Sequence, residues 1–206
     1  MKTSNPRFWL TAFAGLLAGC AASPSPTPVL LSLPPAVTAA AAVAAPGAVA
    51  APAVPQLLAI RHVGIPEYLV ARRVRYRADA STLVEWPNTV WAERIEIGVL
   101  REFVSALRQQ LPGWALCEAT CGDLVPTLAL QVELVPMDFV RSTQHLQARA
   151  RITLSSGAAP RVLSTQEQVY DLPASADTPQ AHAQAVTELI RQVAQAAAPL
   201  VLAARP

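Results

Sequence analysis

Cys20 is the side chain in this sequence most clearly placed for chemistry. It closes Leu16-Leu17-Ala18-Gly19-Cys20, and ahead of it stand two cations, Lys2 and Arg7, and an apolar run over residues 8–17. Such a run is well short of the ~20 residues a bilayer-crossing helix needs, so residues 1–19 read as a secretory leader. Leu17-Ala18-Gly19-Cys20 resembles the bacterial lipobox. There the thiol takes a diacylglyceryl group, a peptidase admits the small residues before it, and the new amino terminus is acylated in turn. A leader ending by chance in a cysteine is the plainer alternative, but charge, length, small residues and sulfur all agree on the first. Each buried methylene contributes roughly 0.8 kcal/mol, so two or three acyl chains, palmitate among them, hold a protein at a bilayer without a spanning helix. In the best-known sorting rule, aspartate after the modified cysteine retains a lipoprotein in the inner membrane. Ala21 stands there instead, which points to the periplasmic face of the outer membrane.

The remaining reactive side chains are sparse. Cys117 and Cys121 enclose Glu118-Ala119-Thr120; in an oxidising compartment they suit a local disulfide closing a turn. A metal reading lacks ligands, because His62, His145 and His182 fall on separate elements, and the spacing is not that of a Cys-x-x-Cys redox pair. No metal and no cofactor beyond the lipid on Cys20 is expected. Arg72, Arg73, Arg75 and Arg77 crowd one stretch, with Arg61 on what looks like the neighbouring strand. Two readings stand open: a solvated strand face, or a surface for anionic headgroups or an acidic partner. Trp86, beside Pro87, reads as an exposed contact in a loop, and Trp91 as a core anchor. No nucleophile elbow, phosphate loop, metalloprotease helix or convergent carboxylate pair occurs, so no catalytic residue is expected. Of 16 Lys+Arg, two lie in the leader; the 14 that remain match the 14 Asp+Glu, all beyond Cys20. A mature chain without net charge has little general attraction for nucleic acid.

These groups need a scaffold, and its pattern is α+β. Residues 20–55 form a lipidated start and an Ala/Pro-rich linker, with a possible strand at 29–33; extended at ~3.1 Å per residue, 21–55 would reach on the order of 100 Å. The domain proper is expected over 56–206. Strands are expected at 57–63, 68–76 and 83–86, the last ended by Pro87. A helix is expected over 91–111, capped by Asn88 or Thr89, with Glu93 in its first turn and Ile95, Val99, Phe103, Leu107 and Leu111 recurring every four residues. Gly98 would allow close approach to a sheet. Strict alternation marks 128–134 and 145–154 as half-buried strands, and 161–171 suits an edge. Thr178-Pro179 opens a last helix running until Pro199. The expected fold is a mostly antiparallel sheet with two main helices packed on one face.

The lipobox, the run Val63-Gly64-Ile65-Pro66-Glu67-Tyr68-Leu69, Trp91-Ala92-Glu93 before an amphipathic helix, the two long alternating strands and the last helix together resemble the ABC-type transport auxiliary lipoprotein family, the PqiC-like membrane-integrity lipoproteins. The resemblance covers most of the mature chain, and residues 29–33 match the place of that family's first strand; the Ala/Pro insertion over 36–55 and the cysteine loop depart from it. It implies a non-catalytic accessory of a lipid transport system, with an MCE-domain protein, an ABC transporter and outer-membrane phospholipid as partners and homo-oligomers among the possible assemblies. A lipid carrier that encloses an acyl chain is the rival reading. A cell-wall enzyme ranks third, because it needs a polar cleft of carboxylates.

Overall fold

The computed structural model describes residues 26–36, 56–118, 121–157 and 161–204; Cys20, the leader and residues 37–55 lie outside them. In chain order the elements are β1 (Val29–Leu31), β2 (Gln56–Gly64), β3 (Arg73–Arg77), β4 (Leu83–Trp91), α1 (Ile95–Gln110), β5 (Trp114–Glu118), β6 (Leu128–Val140), β7 (His145–Ser156), β8 (Val162–Pro173) and α2 (Pro179–Ala203). The α+β expectation holds. One eight-stranded sheet is covered on one face by both helices.

The sheet is mixed and forked at β6. Along one edge β6 pairs antiparallel with β7, from Leu128 opposite Ser156 to Val140 opposite His145, and β7 pairs antiparallel with β8. Its other edge is shared. β2 lies parallel to residues 128–133, and β3 meets β6, also parallel, at Val140. β5 then extends the β2 branch in parallel; β4 extends the β3 branch antiparallel, and β1 joins β4 in parallel. The fork falls where Val135 and Pro136 are inserted between the paired Leu134 and Met137. Such a bulge lets one long strand bend and serve two neighbours.

The period-two alternation of β7 puts Leu146, Ala148, Ala150, Ile152 and Leu154 beneath the helices, all buried, and turns Gln147, Arg149 and Arg151 to solvent. Onto that layer α2 lowers Val186, Leu189, Ile190, Val193 and Ala197, while α1, packed beside α2, turns Ile95, Val99, Phe103 and Leu107 inward over β2 and β5. Fully burying a side chain of this size contributes roughly 1.5–3 kcal/mol, so these layers are the main source of stability.

Several boundaries differ from expectation. β4 continues through Pro87 to Trp91, because residues 86–89 occupy a bulge between the pairs Arg75–Glu85 and Arg73–Val90. A proline there removes no ladder bond, and Asn88 takes φ 49°, a conformation asparagine tolerates. Neither Asn88 nor Thr89 therefore caps α1, which starts at Ile95 after Arg94, with Glu93 ahead of it. Gly98 approaches Leu33 and Glu93, each 3.4 Å from where a Cβ would stand, and not the sheet. Tyr68 lies in a 3-10 turn, Glu67–Leu69. β5 was not legible: it has five residues, and only Trp114 is buried. α2 runs through Pro199 to Ala203; Pro199 has no N–H for the Gln195 carbonyl, and Gln195 is on the exposed face of the helix.

Candidate functional site

Because β1 is part of the sheet, the chain is tied down much earlier than at Gln56. Val29, Leu30 and Leu31 pair with Thr89, Val90 and Trp91, and Ala92 N–H donates to the Leu31 carbonyl at 2.8 Å. The next residues are clasped by both helices. Thr187 Oγ1 of α2 donates to the Pro34 carbonyl at 3.1 Å, and the buried Glu102 carboxylate of α1 accepts from Ala36 N–H at 3.1 Å. Leu33 and Ala36 are buried between them. The Ala/Pro-rich residues 37–55 are thus a connection between β1 and β2, and not part of the spacer to Cys20. That spacer is residues 21–28, about 25 Å when extended at ~3.1 Å per residue, instead of ~100 Å.

The arginine stretch is split by the topology. β6 lies between β2 and β3, so Arg61 is not on a strand next to the other arginines; it sits at the β2 bulge and is exposed. Arg73 and Arg75 of β3 both approach Glu85, at 3.8 and 3.4 Å, and Arg75 also donates to the Tyr68 carbonyl at 2.7 Å. Arg77 donates to Asp138 at 2.9 Å, and the same carboxylate accepts from the Tyr68 hydroxyl at 3.0 Å. Burial, aided by Asp138, pushes the Tyr68 phenol above its usual pKa. Three of the five arginines are therefore spent on internal partners, and the stretch is an ion-paired strand face. Arg61 and Arg72 have no ion pair among the described residues.

Trp86 is not an exposed contact: it is 5% exposed. Its indole lies 4.9 Å from the Tyr76 ring and 6.3 Å from Phe139, and the Arg141 guanidinium covers it at 4.6 Å. Arg141 comes from the β6–β7 turn, donates to the Tyr76 hydroxyl at 2.8 Å and to Asp177 before α2, and so closes this end of the core. The Asp177 carboxylate holds that guanidinium above its ordinary pKa. Trp91 is the buried anchor expected, its ring centre 6.3 Å from that of His182 in a T-shaped arrangement. His182 stacks on Phe139 at 4.6 Å and is buried, with no hydrogen-bond partner for Nδ1 among the described residues; desolvation lowers its pKa to about 3.

Cys117 and Cys121 are joined by a disulfide, their Cα atoms 5.4 Å apart. The bridge staples the end of β5 to the loop leading into β6. On the open face of the sheet, Glu133, Val135, Arg149, Arg151 and Glu167 line a depression of about 280 Å³. Arg151 bridges Glu133 and Glu167 across three strands there, at 3.8 and 2.8 Å. Among the described residues no group of three His, Cys, Asp or Glu side chains is placed to hold a metal, and no helix is long and apolar enough to cross a membrane.

A family model described as the ABC-type transport auxiliary lipoprotein component matches residues 38–198, well over half of the chain. The chain belongs to the ABC-type transport auxiliary lipoprotein family. The fold agrees with solved structures. A crystal structure of an uncharacterized protein superposes with a TM-score of 0.66 at 16% identity, over 85% of this chain and 99% of that one. A protein from Xanthomonas campestris assigned to the DUF330 family superposes with a TM-score of 0.56 at 16% identity, over 71% of this chain and 83% of that one. No curated protein matches the sequence. As a member of an auxiliary lipoprotein family, the protein is a membrane-associated component of an ABC-type transport system. The family match begins after β1, so the clasp around residues 31–36 is visible only in the structure.

Proposed function

We propose that this protein is a non-catalytic accessory subunit, held by lipid on Cys20 at the periplasmic face of the outer membrane, that docks onto an ABC transport system carrying phospholipid through an MCE-domain partner. The observation carrying this reading is the filled interior. Where a carrier would enclose an acyl chain, Phe103, Leu107, Leu130, Ile152, Leu154, Leu189 and Ile190 of both helices and the sheet are 0–1% exposed. Interiors packed in this way leave no room for a chain without displacing side chains. What remains for function is the anchor and the outer surface.

The test is cross-linking in envelope membranes followed by isolation of the tagged full-length protein. The accessory reading expects an ABC transporter subunit and an MCE-domain protein in the isolated material, and no stoichiometric phospholipid on the chain. Cys20→Ala should leave the protein in the soluble periplasmic fraction and reduce those partners at least tenfold. About one phospholipid per chain, with no transport subunit, would establish the carrier instead.

A further inference from the structure

At one end of the sheet the loop between β5 and β6 and the first residue of β8 carry exposed apolar side chains that the core does not use. In the loop between β5 and β6, Leu124 is 67% and Val125 71% exposed, and at the start of β8 Val162 is 60% exposed. That loop and the β7–β8 loop are held together. Gly157 N–H donates to the Thr127 carbonyl at 3.1 Å, and a Cβ on Gly157 would stand 1.9 Å from the Pro126 carbonyl oxygen, so only glycine permits this approach. The first loop is stapled by the Cys117–Cys121 disulfide and turned by the Leu124 N–H bond to the Cys121 carbonyl, 3.2 Å. Apolar groups presented on a fixed frame lose little freedom when a partner covers them, which favours binding.

The direction of the strands says which way this tip faces. β1 is parallel to β4, β4 antiparallel to β3, and β3 parallel to β6. β1 therefore runs toward the end of the sheet where β6 begins at Leu128, which is the tip's end. The chain enters β1 at Val29 from the opposite end, so, with Cys20 acylated as proposed, that end is the nearer one to the bilayer and the tip faces away. The balance of charge is acidic: exposed Glu118 and Asp123 flank Leu124 and Val125, against the single exposed Arg161 beside Val162. An anionic bilayer would repel the two carboxylates, whereas a protein slot with a basic rim would attract them.

We propose that the loop tip bearing Leu124, Val125 and Val162 is the docking surface for a periplasmic protein of the transport assembly, one that offers an apolar slot bordered by lysine or arginine. The inference rests on the accessory-subunit reading and names its contact surface.

A photo-cross-linking amino acid is placed at Val125, and at Ile97 on the exposed side of α1 as control, in the full-length protein in envelope membranes. The expected result is one discrete adduct with a transport subunit from position 125, absent from position 97. Leu124→Asp should reduce it at least tenfold, with membrane flotation and thermal midpoint unchanged, and raising salt should weaken it. Adducts to lipid, or only to a second copy of the chain, would overturn the inference, as would an adduct that survives Leu124→Asp. If the tagged protein isolates no transport subunit by any cross-linker, the accessory reading fails. If it isolates one, but position 125 does not touch it, only the tip assignment fails.

Discussion

Trp86→Ala lowers the stability of the fold by about 3–5 kcal/mol, the range for removing a large aromatic from a packed core. The indole fills the space between Tyr76 and Phe139 beneath the Arg141 guanidinium. Arg141 would also lose the aromatic face it covers, a contact that contributes on the order of 0.5–2 kcal/mol. For a folded unit of this size each kcal/mol moves the thermal midpoint by about 2–4 °C, so a fall of ~10 °C is expected. Trp86→Phe should cost much less, because the indole Nε1 has no hydrogen-bond partner among the described residues. Urea and thermal unfolding followed by circular dichroism measure both. A loss below about 0.5 kcal/mol for Trp86→Ala is what an exposed surface residue would show, and it would contradict this placement.

Acid should destabilise the protein through His182. The folded state holds this imidazole neutral down to about pH 3, because burial against Phe139 and Trp91 gives an imidazolium no solvation. The unfolded chain protonates it with the ordinary pKa of about 6.5. Below pH 6.5 the unfolded state therefore binds a proton that the folded state does not. Stability is lost as pH falls, by up to about 1.4 kcal/mol per pH unit, and the loss continues until about pH 3. Above pH 6.5 the term vanishes. His182→Leu removes both the titration and the unpartnered Nδ1, so it should flatten the profile. Urea midpoints at pH 7.5 and pH 5.0 test this: about 2 kcal/mol more is lost by the wild type than by the variant. Parallel losses would place the histidine where water reaches it.

What could be read in advance and what could not follow one physical division. The four-residue recurrence of Ile95, Val99, Phe103 and Leu107 and the alternation along β7 are local records of a buried face, and both helices and the long strands were legible from them. Pairing across the sheet leaves no such record. Nothing near Arg61 says that β6, about 70 residues on, lies between β2 and β3. Trp86 looked like a loop residue because Pro87 follows it, yet the proline falls on a bulge, and the cover over the indole comes from Arg141, far along the chain. Asn88 and Thr89 have the chemistry of helix caps but serve that same bulge, where Thr89 Oγ1 donates to the Pro87 carbonyl at 2.9 Å. Residues 33–36, poor in distinctive side chains, gave no sign that Glu102 and Thr187 would clasp their backbone. For the candidate site, the chemistry expected of Leu17-Ala18-Gly19-Cys20 is written locally in the sequence, and it lies outside the described residues. The tip was not legible, since it depends on two loops that Gly157 brings together.

The account stands on the acylation of Cys20, and mass spectrometry of the amino-terminal peptide of full-length protein isolated from membranes tests it most directly. The account predicts a peptide that begins at Cys20 and carries a diacylglyceryl group on sulfur with an acyl chain on nitrogen, lost in Cys20→Ala. A peptide that begins elsewhere, or an unmodified cysteine at position 20 in protein that is still membrane-bound, would contradict it.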